Sequence, residues 1–440
     1  MKIINLAALE ELEISCHDIK GAFLVPWIKK GEEPIFMRLE KTLVDLYVKE
    51  FPEAKQFIDV KGCITFRLQK YLYGLPQAGY HFYKHLEATL MEKMGFTQLR
   101  GDKCCWIRGK GDDKVIVAAH VDDLIAVGKP KARKQFQSEL EKAYEVNSQN
   151  GPKLSYIGLT ISKSQKDYVV SMEGYRKELV SRFEQDILNC KTHGMSPAGE
   201  GLMHDDGPSR DNPTVDKLHY TSLIMSIMYI ARLSRPDLLF ATTYLASKSQ
   251  SPTRRDYLSA CRVLKYIQVG PNYGVRFKHG VRMSVNLYAD ASHGIHTDGK
   301  GHAGIVITLG SGFIHARSSK CKLTTLSSTE TESVALCEAA TYAYWVRAML
   351  FDFGYRLTKP IKTHQDNDAT VYLTSRDGNL SRNKHVMIRR NFAKEAVDQD
   401  IIRLVRCSTD VMPADAMTKP KTPRALKEDM KIIGLEVIIE

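Results

Sequence analysis

The sequence has 440 residues, long enough for two to four domains that each bury a core. Hydrophobic residues make up 43% and charged residues 26%, which is typical of a soluble globular protein and not of a disordered or membrane-spanning one. The net charge of +12 favours a polyanionic partner such as nucleic acid. The nine cysteines include no C-x-x-C pair, which disfavours a zinc knuckle, and their odd number, without a secretory leader, suggests a reducing compartment.

Strand and helix patterns alternate with polar breaks through the first hundred residues. Residues 14–24 form an apolar, strand-like stretch that carries Asp18. Residues 27–60 combine apolar and charged residues without a clear period, and prolines interrupt the stretch. After the Gly/Pro break in YGLPQAG, residues 80–94 predict an amphipathic helix.

Residues 114–128 predict a β-hairpin, because two β-branched apolar runs flank the adjacent acids Asp122 and Asp123. Neighbouring side chains of a strand point to opposite faces, so two adjacent carboxylates share a face only where a turn bends the backbone. Two interpretations of the tip stay open at this point. It is either an ordinary Asp-rich turn or a cation site completed by a carboxylate from another strand.

The middle of the chain predicts further short strands and then helices. A basic cluster at residues 129–134 leads into a helix that ends near Tyr144. Two strand patterns, SYIGLTISKS and DYVVSM, lie within residues 151–172, and the Gly/Pro/Asp/Ser-rich residues 191–216 predict a linker or surface loop. Helices are predicted at Tyr220–Tyr244, broken near RLSRPD, and at Tyr257–Ile267.

A second organisation begins near residue 282. Three strands (RMSVNLYADAS, HAGIVITLG and GFIHARSS) precede a long Ala-rich helix that ends at Gly354. The strand IKTHQDN, a helix over residues 383–397, the strand IIRLVRC and a short helix near Pro413 follow. This order predicts an α/β layer arrangement.

Four acids of this second half lie where elements begin or end: Asp290, Glu332, Asp366 and Asp415. Each also has a structural interpretation, because the acid in the long helix fits a capping box and the last two fit helix starts. Taken together they can form one oxygen-only cluster, which suits Mg²⁺ or Mn²⁺. Two such ions about 3.5–4 Å apart activate water and stabilise the leaving oxygen of a phosphodiester.

An ordered series of motifs carries a family resemblance: DIKGAF, LYGLPQAG, HVDD, YIGL, SRPDLLFA, LKYI, YADAS, LSSTETESVAL, QDN, NKHV and ADAMTKP. In this order they resemble the reverse transcriptase–RNase H region of copia-type LTR retrotransposon polyproteins. The resemblance extends from about residue 15 to residue 420, and the ordered set is more specific than any one motif. It favours the cation-site interpretation of the hairpin tip.

The resemblance implies roles for residues of the first half. Asp18 resembles the first metal-binding aspartate of a polymerase palm, and Asp122 and Asp123 resemble its catalytic pair. Phe23 is similar to the aromatic residue that screens the sugar 2′ position, with a plain core phenylalanine as the alternative. Gln77 resembles the residue that contacts the incoming nucleotide and the template.

The resemblance likewise assigns Asp290, Glu332, Asp366 and Asp415 to the four acids of an RNase H site that binds Mg²⁺ or Mn²⁺. Glu332 is preferred to Glu330 because the glutamate of the family directly precedes the apolar run, here SVAL. An RNase H site often uses a mobile histidine about ten residues before its last aspartate, and RLVRCSTDVM contains none.

The implied fold class is α/β: an α+β polymerase palm and connection, followed by an RNase H-like mixed-sheet α/β domain. The expected divisions are residues 1–130 (truncated palm), 131–281 (thumb or connection), 282–425 (RNase H-like domain) and 426–440 (C-terminal tail). Only 17 residues precede Asp18, so we expect an N-terminally truncated polymerase that lacks most of its fingers. His120 stands where the family usually has tyrosine, either as a titratable group beside the nucleotide or as a tolerated substitution.

The expected function is that of a reverse transcriptase–RNase H fragment acting on primer–template, dNTPs and RNA–DNA hybrid. RNase H activity with a dead polymerase, or a non-catalytic nucleic-acid-binding remnant, are the alternatives. The first sixteen residues are interrupted by glutamates and do not fit a signal peptide. We therefore expect a non-secreted protein without a membrane partner, located in the cytoplasm, a virus-like particle or the nucleus.

Overall fold

A computed structural model describes residues 1–29, 31–191, 193–204, 207–375 and 384–438 and confirms the predicted mixed α/β fold class. No helix in these ranges combines the length and the apolar character needed to cross a membrane. The strands are β1 (Glu13–Ile19), β2 (Phe36–Leu39), β3 (Ile64–Arg67), β4 (Thr97–Gln98), β5 (Cys105–Arg108), β6 (Val115–His120), β7 (Asp123–Gly128), β8 (Val146–Gln149), β9 (Lys153–Tyr156), β10 (Leu159–Ser164), β11 (Asp167–Ser171), β12 (Tyr273–Phe277), β13 (Val285–Ser292), β14 (His302–Leu309), β15 (Gly312–Lys320), β16 (Ile361–Gln365), β17 (Ile402–Arg406) and β18 (Leu435–Val437). The α-helices are α1 (Lys2–Leu9), α2 (Lys41–Glu50), α3 (Ala78–Ala88), α4 (Pro130–Ala143), α5 (Glu173–Arg182), α6 (Glu184–Leu188), α7 (Lys217–Leu233), α8 (Leu239–Ala246), α9 (Arg254–Val269), α10 (Ser328–Asp352), α11 (Asp368–Thr374), α12 (Lys384–Asp398) and α13 (Pro423–Ile432).

The predicted hairpin forms the centre of a six-stranded sheet with the order β4-β5-β6-β7-β1-β8. Strands β6 and β7 pair antiparallel as far as His120 and Asp123, which leaves Val121 and Asp122 as a two-residue turn. Alternate side chains of both strands enter two different cores, because successive residues of a strand point to opposite faces. Burial on both faces explains why the two runs of the hairpin are continuously apolar.

The second sheet, with the order β18-β12-β11-β10-β9, differs from the sequence prediction in two places. The segment SYIGLTISKS forms two strands, β9 and β10, and not one. Ile157 and Gly158 have positive φ values of 43° and 76°, and they turn the chain back on itself. Residues 426–440, expected as a tail, include most of α13 and strand β18, which pairs with β12.

The third sheet has the order β15-β14-β13-β16-β17 and contains the strands predicted from residue 282 onward. Strand β13 is antiparallel to β14 and parallel to β16, so the carboxyl ends of β13 and β16 lie at the same edge. Helix α10 packs on β13 and β14. The Ser327 hydroxyl caps this helix by accepting the N–H of Glu330, which fixes where α10 begins.

Hydrogen bonds join the N-terminal part of the chain to elements around the third sheet. The Asn5 side chain, in α1, donates to the carbonyl of Leu309 over 2.7 Å. The Asp352 carboxylate at the end of α10 accepts the N–H groups of Arg100 and Gly101 over 2.9 and 3.0 Å. The two halves therefore pack directly on each other.

Candidate functional site

Three acids from three elements meet at one edge of the third sheet. Asp290 lies near the end of β13, Glu332 near the start of α10, and Asp366 directly after β16. Each offers a carboxylate oxygen, and these oxygens all lie within 4.8 Å of one another. Asp290 and Glu332 are buried and Asp366 is half-buried. This all-oxygen set of donors fits a hard divalent cation such as Mg²⁺ or Mn²⁺.

The carboxylates of this group repel one another. Burial, and then the charge of Asp415, raises the pKa of Asp290. Burial, and then the charges of Asp290 and Asp366, raises the pKa of Glu332. Both directions are those expected for carboxylates held together away from water. A cation bound among the carboxylates would remove that repulsion, so the group is more stable with a cation than without one.

Two neutral side chains hold the acids in position. Gln365 Nε2 donates to Glu332 Oε2 over 3.3 Å, and Gln365 Oε1 accepts the N–H of Asp366 over 2.9 Å. The hydroxyl of Thr418 donates to Asp290 Oδ2. The sequence analysis did not identify either residue. Gln365 lies in the motif QDN and Thr418 in the motif ADAMTKP, each of which contains a predicted acid. Membership of these motifs was the only indication of their role available from the sequence.

The fourth predicted acid, Asp415, is not part of the three-acid group. It lies in a 3₁₀ turn, Pro413–Met417, with its side chain 1% exposed. Its Oδ1 atom lies 2.9 Å from Lys419 Nζ, and its Oδ2 atom lies 3.2 Å from Lys421 Nζ. Both carboxylate oxygens of Asp415 therefore face ammonium groups.

A glycine lets this 3₁₀ turn approach the cluster. Gly304 in β14 is the strand partner of Asp290. A Cβ atom at Gly304 would lie 2.6 Å from the Cβ atom of Met417 and 2.7 Å from the carbonyl oxygen of Ala414. Any side chain at this position would push away the turn that carries Asp415.

The second predicted set of acids lies at the tip of the hairpin. Asp123 is directly opposite Asp18 in the pairing of β1 with β7, and Asp122 occupies the turn. Burial, and then the charges of Asp122 and Asp18, raises the pKa of Asp123. Asp123 thus lies within electrostatic range of the other two acids. Unlike the first cluster, they do not have ligand oxygens that all lie within 4.8 Å of one another.

The hairpin tip also contains a strained residue. Val121 has a φ of +58° and is 47% exposed. A positive φ is unfavourable for a β-branched residue and costs about 1–3 kcal/mol. His120, which stands before it, is exposed and lies opposite Asp123.

Of the two residues predicted beside the nucleotide, Phe23 packs against the core on one face of the hairpin sheet. The Phe23 ring packs against Tyr73 with 4.9 Å between the ring centroids and edge-on against Phe82 at 6.4 Å. Gln77 is half-buried and immediately precedes α3. The aromatic contacts of Phe23 suit a core role as well as a surface next to a sugar, so its assignment stays a prediction.

Comparison with known sequences agrees with the motifs. Residues 2–197 match the family model described as reverse transcriptase (RNA-dependent DNA polymerase). The chain is 28% identical over 402 residues to the retrovirus-related Pol polyprotein from transposon RE1 of Arabidopsis thaliana, covering 90% of this chain and 27% of that protein. It is 26% identical to the corresponding polyprotein from transposon TNT 1-94 of Nicotiana tabacum, covering 98% of this chain and 32% of that protein. The chain thus spans about a third or less of the length of these relatives.

Among solved structures, the foamy viral protease-reverse transcriptase in complex with RNA/DNA hybrid has a similar fold. The TM-score is 0.51 at 11% sequence identity, over 90% of this chain and 44% of that chain. At this identity the similarity concerns the fold alone. The sequence matches confirm the resemblance inferred from the motifs.

Proposed function

We propose that this chain, which resembles the reverse transcriptase–RNase H region of copia-type LTR retrotransposon polyproteins, cuts the RNA strand of RNA–DNA hybrids and extends primers on RNA or DNA. The observation that carries the proposal is the buried group formed by Asp290, Glu332 and Asp366. Burial and neighbouring charges raise the pKa of Asp290 and of Glu332, and carboxyl groups perturbed in this way are candidates for a functional site.

In the proposed cleavage reaction, Asp290, Glu332 and Asp366 would hold the divalent cation. When bound there, Mg²⁺ or Mn²⁺ would supply an activated water and would neutralise the charge that develops on the phosphate. Gln365 and Thr418 keep the carboxylates oriented, so little reorganisation is needed when the substrate binds.

DNA synthesis is proposed at the tip of the hairpin. Asp18, Asp122 and Asp123 would hold the cations that activate a primer 3′-hydroxyl and neutralise a dNTP. Phe23 and Gln77 would line the nucleotide site. The proposed division of the chain is a palm over residues 1–130, a connection over 131–281, an RNase H-like domain over 282–425 and a C-terminal segment over 426–440.

The net charge of +12 supports a nucleic-acid partner. Lysine and arginine contacts to phosphate release counterions, so binding of a hybrid is expected to weaken steeply as salt increases. Recognition through duplex shape and 2′-hydroxyls, and not through base sequence, fits a hybrid with A-like geometry.

Two substitutions test whether the two acid sets serve separate reactions. Asp290→Asn is expected to abolish cleavage of a labelled RNA–DNA hybrid while primer extension continues. Asp122→Asn is expected to abolish extension while cleavage continues. Asp410→Asn, an exposed acid near the cluster, is the control and should leave both activities intact. If either active-site variant keeps its far-UV circular dichroism yet loses both activities, the proposal of two sites is wrong.

An RNase H enzyme without polymerase activity is the second candidate. It is favoured by one observation: the hairpin acids are less tightly grouped than the acids of the third sheet. Hybrid cleavage without extension by the unmodified chain would select it. Salt-sensitive binding of a hybrid with neither activity would instead indicate a non-catalytic remnant.

A further inference from the structure

Asp415 differs from the other three acids of the proposed RNase H site in having basic partners. Lys419 Nζ lies 2.9 Å from Asp415 Oδ1, and Lys421 Nζ lies 3.2 Å from Asp415 Oδ2. Within the described ranges, no lysine or arginine nitrogen lies within 4 Å of a carboxylate oxygen of Asp290, Glu332 or Asp366. The neutral partners Thr418, Gln365 and Thr409 contact those three acids instead.

The two lysines are held differently. Lys421 is 13% exposed and also pairs with the buried Asp429 at 3.1 Å, so it ties the 3₁₀ turn to α13. Lys419 is 39% exposed, and Asp415 is the acid with which it pairs. A long, partly exposed lysine with a single ion pair can leave its partner at much lower cost than a buried lysine with two.

We propose that Lys419 is a built-in counter-cation of the RNase H-type site, which neutralises Asp415 in place of a second metal ion. The group formed by Asp290, Glu332 and Asp366 then binds one divalent ion tightly. A second ion reaches Asp415 only when Lys419 moves away. This inference rests on the proposed RNase H function and adds to it that the second ion competes with a side chain of the protein.

The chemistry follows from charge. An ammonium group and a divalent cation at the same carboxylate oxygen repel each other at short range, so each weakens the binding of the other. Arrival of a phosphate group beside Lys419 offers the ammonium another anion, so substrate binding and entry of the second ion are coupled. Lys419 is therefore a positioning residue that couples binding of the second ion to binding of the substrate.

Metal binding tests the proposal without relying on activity. All variants are made in the 440-residue chain carrying Asp18→Asn and Asp122→Asn, so that the hairpin acids do not contribute. Binding of Mn²⁺ is followed by the electron paramagnetic resonance signal of the free ion. We expect the parent to bind one Mn²⁺ tightly and Lys419→Met to bind a second at least tenfold more tightly than the parent does. Lys419→Arg, which keeps the charge, should behave like the parent.

A control and a second variant make the result decisive. Lys427→Met removes an exposed positive charge from α13 and should leave both affinities unchanged. Lys419→Gln repeats the test if the methionine variant folds poorly. Unchanged affinity for the second ion in the folded Lys419 variants overturns the proposal while leaving the RNase H site intact. If Asp290→Asn does not weaken the first ion, the metal site itself is wrong, and the role of Lys419 is refuted with it.

Discussion

Glu332→Gln should stabilise the protein in the absence of metal while destroying its proposed RNase H activity. Burial, and then the charges of Asp290 and Asp366, raises the pKa of Glu332 in the folded protein. A carboxyl group whose pKa is raised by folding destabilises the folded state at every pH above 4.5, its pKa in the unfolded chain. The loss of stability grows with pH until the pH exceeds the pKa in the folded protein. Glutamine has nearly the same shape as glutamate and an acceptor oxygen, but it carries no charge, so its burial among other acids costs less free energy.

The size of the effect follows from the pKa shift. Each unit of upward shift costs the ionised form about 1.4 kcal/mol, and burial alone moves carboxyl groups by up to about 3–5 units. Because Glu332 is 5% exposed, solvent screens this cost only weakly. Allowing for a weaker bond to Gln365, we expect about 2–4 kcal/mol of stabilisation at pH 8. Near pH 4.5 the difference should shrink towards zero.

Urea denaturation, followed by circular dichroism in EDTA and again in excess Mg²⁺, measures this effect. The wild-type chain should gain stability from the metal, by about 2.7 kcal/mol at a hundredfold excess over the dissociation constant. Glu332→Gln should gain much less. Glu330→Gln is the matched control, because Glu330 accepts the N–H of Leu326 over 2.8 Å and glutamine can do the same. We expect the control to stay within about 0.5 kcal/mol of wild type.

The reasoning would be refuted by a Glu332→Gln variant that is less stable than wild type in EDTA. It would also be refuted if Mg²⁺ stabilised that variant as much as the wild-type chain. A large effect of Glu330→Gln would show that the stability change is not specific to the acid cluster.

Three further predictions concern the structure around the sites. Gly304→Ala should cost about 1–3 kcal/mol and reduce hybrid cleavage much more than primer extension, because its methyl group displaces the turn that carries Asp415. Val121→Gly should stabilise the hairpin by about 1 kcal/mol in urea titrations, because relief of the positive φ exceeds the entropy cost of glycine. Burial, and then the charge of His296, lowers the pKa of His302 to about 3, so the unfolded chain takes up protons below pH 6.5 while the folded one does not. About 2 kcal/mol of stability should thus be lost between pH 7 and pH 5, and His302→Gln should remove that part of the loss.

Local pattern alone was enough to predict the main elements near both candidate sites. The hairpin, helix α10 and the three strands after residue 282 all appear where the sequence predicted them. Their signals are periodicity, caps and turn residues, which act within a few residues of the chain. The segment SYIGLTISKS was misread as one strand although Gly158 is a turn signal, because the other turn residue is Ile157, whose side chain gives no sign of a positive φ.

The candidate site was predictable to a similar degree. Asp290 and Asp366 were placed at the carboxyl ends of strands, and such ends meet at one edge when the strands are parallel neighbours. The sequence could not show which strands would be neighbours. The roles of Gln365 and Thr418 depend on atoms that approach each other only in the folded protein.

By itself, the sequence determined the order of the elements, the acids at their ends, the positive net charge and the resemblance to a reverse transcriptase–RNase H region. Only the tertiary structure decided that three acids form a tight group and that Asp415 is neutralised by Lys419 and Lys421. The reason is physical. Periodicity and capping are properties of neighbouring residues, whereas burial, pKa and ion pairing depend on distances between residues that are remote in sequence.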